Sequence, residues 1–311
     1  MTNITDSIYS NEEAARAHFE AIRWPDGRVC PHCGTIDNSV LLQGKSTRPG
    51  LYKCRDCRKP FTATMGTVYE RSHIPLHKWL LATHLMVSSK KGISAHQLFR
   101  MMGFGSYRTA WFMAHRIREA MRSDDVALFG SGGGTVEVDE TFIGHLKGAE
   151  KKRAFHHKMK VLALVDRDTG KSRTMVIDNV NATTLMPVVL NNIAREAHVM
   201  TDEHSGYRDV KLYFASHGTT SHGKGQYVDL TNRNIHSNTV EGYFSIFKRG
   251  MKGVYQHCGE QHLHRYLREF DFRYSNRAAL GIDDANRMTI ALQGSVGKRL
   301  TYARPHGSTA H

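Results

Sequence analysis

The chain has 311 residues, 40% hydrophobic and 23% charged, the balance of a globular protein long enough for about two domains. Its 43 Lys and Arg against 29 Asp and Glu give a formal charge of +14, an excess that points to a polyanionic partner. No run approaches the roughly 18 apolar residues of a bilayer span, and the N-terminus lacks the basic start and apolar stretch of a targeting signal. A soluble, intracellular protein with no membrane partner is expected.

At the N-terminus, Ser10 with Glu13 reads as a capping box opening a short helix. "CPHCG" and "YKCRDCRKPF" then set Cys30, Cys33, Cys54 and Cys57 in two C-x-x-C knuckles. Two intervening residues let both sulfurs of a knuckle reach one side of a tetrahedral Zn²⁺, and the second knuckle closes the site. Such a four-sulfur site has no open position for chemistry, so the zinc is expected to fold the module. Gly34 supplies the backbone freedom of the turn. Arg28, Lys45, Arg48, Lys53, Arg55, Arg58 and Lys59 surround the knuckles at a density suited to phosphate contact. Cys258 stands apart as a plain small residue.

The next stretch has helical periodicity. Leu76, Trp79, Leu80, Thr83 and Met86 recur near i, i+3, i+4 spacing, and Leu98, Met101 and Met102 mark a second helix. "GFGS" interrupts, and a third helix from Tyr107 to Met121 carries Arg108, His115, Arg116 and Arg118, with Arg122 just beyond. Helix, glycine turn and basic helix make the outline of a DNA-binding helix-turn-helix; a three-helix connector fits the same pattern. "GSGGG", 130–134, reads as a flexible linker. The expected domains are 1–68 (helix and zinc ribbon), 69–130 (helical), 131–280 (catalytic) and 281–311 (basic tail).

Beyond the glycines, "TVEVDETFIG", "MKVLALVDRDTG" and "SRTMVIDNV" read as strands, "ATTLMPVVLNNIAREA" as a helix, and "HVMTDEHSGY" as a strand ending at Asp202. Three strands, helix, strand is the order of an RNase H-like α/β fold, a mixed sheet flanked by helices. In that arrangement the first and fourth strands are neighbours, which sets Asp139 beside Asp202. Alternation puts Val136 and Val138 on one face of the first strand and Glu137, Asp139 and Thr141 on the other. A carboxylate beside a buried face needs a cation or donors to meet it. Glu137 and Glu140 read as support or surface residues, Asp166 and Asp168 as turn formers. "HSNTVEGYFSIFKRGMKG" reads as a helix with Asn238, Glu241, Ser245 and Lys248 along one stripe and Val240, Phe244 and Phe247 on the packed side. A carboxylate trio of this kind suits two Mg²⁺ ions acting on a phosphodiester.

These segments, with "HLHRYLREFDFRYSNR", resemble the insertion-sequence DDE transposases that carry an N-terminal zinc ribbon, the ISXO-type group. The resemblance runs from about residue 15 to 278. It implies a catalytic domain using Asp139, Asp202 and a third residue of the 238–241 helix, with Mg²⁺ or Mn²⁺, and Lys248 as the accompanying lysine. Asn238 and Glu241 both stand where the third residue falls. Charge favours Glu241, with Asn238 as a secondary ligand. The implied partners are DNA, as element ends and target, and further copies of the chain, in the cytoplasm of a bacterium at its nucleoid. A zinc-ribbon regulator without catalysis and a non-transposing nuclease of the same fold are the alternatives. The tail "KRLTYARPHGSTAH" is basic and lacks periodicity.

Overall fold

In the computed structural model, residues 3–150, 155–220, 228 and 232–301 are described, so the last ten residues of the basic tail lie outside the described residues. The chain divides into two compact units. One comprises Met1–Ser89, Ile93–Arg122 and Asp283–His311; the other comprises Lys90–Gly92 and Ser123–Ile282.

The first unit opens with α1 (Glu12–Arg23), whose N-cap is Asn11 rather than Ser10. The Asn11 side chain accepts the backbone N–H groups of Glu13 and Ala14, which satisfies two donors that the first helical turn leaves open. β1 (Ser39–Leu41), β2 (Tyr52–Cys54) and β3 (Pro60–Phe61) follow as an antiparallel ribbon in that order. α2 (Leu76–Ser88) buries Leu76, Trp79, Leu80, Thr83 and Met86, the stripe expected from its periodicity. Its first turn is capped from a distance, since the Glu12 carboxylate accepts the N–H groups of Leu76 and His77. α3 (Ala95–Met102) buries Leu98 and Met102 but leaves Met101 half exposed, and ends on Gly103 in the left-handed conformation.

α4 (Tyr107–Ala120) is the helix read as basic. His115, Arg116 and Arg118 are buried, and Arg116 lies over the Trp79 ring while donating to the Glu70 carbonyl. The two buried arginines therefore lie within the interior of the unit. The stretch from 281, expected to be tail, contains α8 (Asp284–Gln293). Met288, Ala291 and Leu292 are buried at helical spacing, Arg287 donates to the Val87 carbonyl, and the Tyr9 hydroxyl meets the Met288 sulfur. That apolar stripe is short and sits among polar residues, which is why it reads weakly in the sequence.

The second unit is built on five strands: β4 (Thr135–Ile143), β5 (Met159–Asp166), β6 (Ser172–Ile177), β7 (His198–Asp202) and β8 (Ser216–Thr220). Their order is β6-β5-β4-β7-β8, with antiparallel pairing on the β6–β5–β4 side and parallel pairing through β7 and β8. This is the mixed sheet of the RNase H-like fold. α5 (Ala182–Asn192) covers one face, where Leu185 and Val189 pack with Val136, Val138, Leu162 and Leu164. α6 (Asn238–Gly250) and α7 (Glu260–Ser275) cover the other, where Val240, Phe244, Phe247, Leu263, Leu267 and Phe270 meet Val161, Ala163 and Val165. Covered on both sides, β5 is apolar almost throughout.

Two local readings change, and one strand is added. The glycine run 130–134 is a hydrogen-bonded turn, not a free linker: Gly134 donates to the Gly130 carbonyl, and Gly130 and Thr135 donate to the carboxylates of Asp166 and Asp168. Gly130 has φ +70, and a Cβ there would sit 2.5 Å from that of Ala197, so only glycine fits. The helix expected over 182–197 stops at Asn192, because the backbone of residues 192–194 bonds with Phe129 instead. β8 has no apolar alternation to announce it; Gly218 sits there against the Met200 sulfur, where a Cβ would lie 2.6 Å away.

Candidate active site and metal centre

The four knuckle cysteines converge. Their sulfurs all lie within 4.8 Å of one another, with Cys30–Cys57 at 3.7 Å and Cys33–Cys54 at 3.6 Å. The turn at Gly34 has φ +79, as a knuckle requires. Beneath the sulfurs, Tyr52, Phe61 and Trp24 pack on Cys30 and Cys54. A core this small needs a further staple, and four sulfurs at this spacing fit one tetrahedral zinc. Of the surrounding cations, Arg28 is taken up locally, stacked 3.8 Å over the Tyr52 ring. Lys45, Arg48, Lys53, Arg55, Arg58 and Lys59 are exposed.

On the sheet, β4 and β7 pair in parallel from Thr135 with His198 to Glu137 with Met200. Carried two residues further, that register sets Asp139 level with Asp202. Asp139 accepts the Glu140 backbone N–H at 2.8 Å, and Asp202 accepts that of His204 at 3.0 Å. Burial pushes the Asp139 carboxyl up to about 8, and the negative charges of Glu140, Asp202 and Glu241 add to the rise. The sequence-predicted trio is thus brought within mutual electrostatic reach. Among the described residues no cation pairs with Asp139. The carboxylates are nonetheless more widely set than the sulfurs, for among the described residues only the cysteines draw three or more ligand atoms within 4.8 Å.

Glu140 belongs to this cluster. It accepts the buried Tyr207 hydroxyl at 2.6 Å, and burial, opposed in part by that hydrogen bond, raises its carboxyl above the ordinary value, with Asp202 adding to the rise. The hydroxyl of Tyr207 is itself held well above its usual range, by burial first and by Glu140 next. Strand alternation alone assigns Glu140 to the face opposite Asp139, so periodicity did not flag it. The signal was present only as a tyrosine five residues after Asp202, whose partner the sequence does not name.

Glu137 is fully buried and takes no part in the carboxylate cluster. Arg167 Nε donates to it at 2.6 Å, the Thr239 hydroxyl at 2.6 Å and the Val240 backbone N–H at 2.8 Å. It therefore anchors the first turn of α6 to the sheet. His236 joins the anchor, with Nδ1 3.2 Å from Glu137 and 2.9 Å from Arg167. Burial and the Arg167 charge hold its imidazole below the ordinary value.

With that turn fixed, Glu241 follows on α6, where it accepts the Ser237 hydroxyl at 2.9 Å and contributes to the field at Asp139. Asn238 is exposed at the first residue of the helix. Lys248 lies two turns on, with Nζ 5.8 Å from the centre of the Phe244 ring, on the wall of a neighbouring cleft. An all-oxygen donor set of half-buried carboxylates is the set that hard divalent cations select. The alternative for such a cluster is partial protonation, which is the state the raised Asp139 describes.

Comparison with known proteins gives two domain matches. Residues 132–275 match the ISXO2-like transposase domain, and residues 10–60 match the transposase zinc-ribbon domain. A protein of Halobacterium salinarum, described as an uncharacterized protein in transposable element ISH50, is 27% identical over 281 residues, 85% of this chain and 91% of that protein. Among solved structures, a chain of the simian T-cell lymphotropic virus intasome in complex with PP2A regulatory subunit B56 gamma aligns with 56% of this chain and 63% of its own length. That match has 14% identity and a TM-score of 0.28, too loose an overlap to carry an argument. No described helix is long and apolar enough to cross a membrane.

Proposed function

We propose that this chain, with its matches to an ISXO2-like transposase domain and a transposase zinc ribbon, is a transposase that cuts and rejoins DNA at the ends of an insertion sequence. Asp139, Asp202 and Glu241 would hold a pair of Mg²⁺ or Mn²⁺ ions, with Asn238 as an outer ligand. The observation that carries this reading is the setting of Asp139: a half-buried carboxyl raised to about 8 by desolvation first and by its acidic neighbours next, with no cationic partner among the described residues. Divalent ions bound there would supply a nucleophilic oxygen at neutral pH and offset the negative charge that builds on the phosphoryl and leaving oxygens.

The protein's own part is positional. Glu137 and Arg167 pin the turn that delivers Glu241, and Tyr207 holds the Glu140 carboxylate by its hydroxyl proton. Lys248 supports the negative phosphate next to the scissile bond. In the first step water oxygen bonds to phosphorus and the 3′ oxygen leaves as a hydroxyl. In the second that 3′ oxygen bonds to a target phosphorus and displaces the target's own 3′ oxygen. The zinc ribbon and its exposed lysines and arginines would hold the phosphate backbone of the element end, in a homo-oligomer that brings two ends together.

The test is a nicking and strand-transfer assay with full-length, zinc-loaded protein and a labelled element end. Cleavage should require Mg²⁺ or Mn²⁺ and vanish in Asp139→Ala and Asp202→Ala while both variants still bind the end. Cleavage that survives either substitution, or proceeds in chelator, would remove the reading. Nicking without strand-transfer products would leave a nuclease, and binding without nicking a regulator.

A further inference from the structure

A cleft of about 460 Å³ opens where the far end of β4 meets the second half of α6. Phe142, Phe155, Lys158, Lys248, Lys252 and Gln256 stand on its walls, and among the described residues no carboxylate does. Three cations on one small cavity repel one another unless an anion joins them. Phe142 and Phe155 stack with ring centres 5.0 Å apart and planes 20° from parallel, and Lys158 Nζ lies 4.7 Å from the Phe155 ring.

The backbone here is unusual as well. Five non-glycine residues among those described have positive φ, and two of them, Phe155 at +63° and Gln256 at +57°, line this cleft. Phe155 is also 50% exposed, so burial of its ring does not hold it in that conformation. Sparsely populated backbone states of this kind gather at ligand clamps. An ordinary surface aromatic pair covered by a lysine accounts for the stacking but not for the strained backbone or the three converging cations.

Position narrows the ligand. Lys248 follows Glu241 on α6 by about 10 Å of helix rise, and Phe142 follows Asp139 on β4 by about the same distance. A flat apolar platform beside lysines suits a ligand that is planar at one end and anionic at the other, and the volume lies in the range of small-ligand sites. We propose that this cleft takes one unstacked nucleotide of the DNA end, with its base on Phe155 in the place that Lys158 now covers and its phosphate between Lys158 and Lys252. The assignment rests on the reading of the neighbouring carboxylates as the cutting site.

The experiment uses full-length, zinc-loaded protein in chelator-free buffer with Ca²⁺, and short blunt duplexes carrying 2-aminopurine at each of the last three positions in turn. One position should change its fluorescence on binding. Phe155→Ala should abolish that response and weaken binding of a short single strand about tenfold, while Phe155→Tyr restores both. Lys252→Ala should lower the salt dependence of binding by about one counterion. An unchanged response in Phe155→Ala overturns the proposal. So does inorganic pyrophosphate displacing the strand as well as a mononucleotide does, which would make the cleft a phosphate site only. A Phe155-dependent response in a protein that never nicks DNA supports the cleft and removes the cutting reading. Nicking in a protein whose response ignores Phe155 does the reverse.

Discussion

Glu137 on β4 accepts the backbone N–H of Val240 at 2.8 Å, so a strand carboxylate serves as the cap of a helix one hundred and three residues later in the chain. Thr239, Arg167 and His236 also meet it. Glu137→Ala leaves Arg167 half-buried without its carboxylate and opens the first turn of α6. The expected loss is roughly 2–3 kcal/mol, below the full cost of breaking a buried pair because Arg167 keeps the Asn234 and His236 carbonyls. Urea unfolding measures it. Glu137→Gln retains an acceptor oxygen and should lose less stability, yet still lower cleavage through a loosened Glu241.

Asp139 makes the stability of the metal-free protein depend on pH. Its folded carboxyl titrates at about 8 against an ordinary value near 4, so the native state holds a proton that the unfolded chain has released. Its contribution is therefore intact below about pH 4 and declines as pH rises toward 8. Asp139→Asn, which mimics the protonated form, should raise the melting temperature more at pH 7.5 than at pH 5 in chelator. Equal gains at both values would show that Asp139 is ionised throughout.

Removing the Tyr207 hydroxyl isolates its bond to Glu140. Tyr207→Phe deletes a donor to a carboxylate and should cost about 1.5–3 kcal/mol in unfolding experiments. Without that donor the Glu140 carboxyl rises further, so the lower limb of the pH–cleavage profile should move to higher pH. A profile that stays in place would confine Tyr207 to packing.

Cys54 is buried and sits 3.6 Å from Cys33. Cys54→Ser should release zinc, measured as metal per chain, and weaken end binding, because Tyr52 and Phe61 lose the staple that organises them. Recognition of the end that persists without bound metal would deny the ribbon that role.

The sheet and the ribbon were legible because their signals are local and strong: paired cysteines, apolar strands, and the Val240, Phe244 and Phe247 stripe, all buried as the spacing implies. Asp139 and Asp202 each fall on a strand recognisable from its apolar neighbours, Asp139 in the middle of β4 and Asp202 at the end of β7. What escaped depends on partners distant in sequence. Glu137 reads as one more surface acid until Arg167 and Val240 meet it. The glycine run reads as a linker until Asp166 and Asp168 bind its N–H groups. Arg116 of α4 turns inward because it finds the Trp79 ring and the Glu70 carbonyl, and no periodicity announces such a meeting.

α8 completes the unit that α1 begins, joining it across the whole of the carboxylate-bearing unit. During synthesis the sheet of that intervening unit can therefore close while Tyr9 and Val87 still await Met288 and Arg287. A ribosome halted after residue 282 would release a finished second unit attached to an unfinished first one. Ordering by translation thus makes the ribbon-bearing half the last to mature, and the one most exposed to loss of the chain's end.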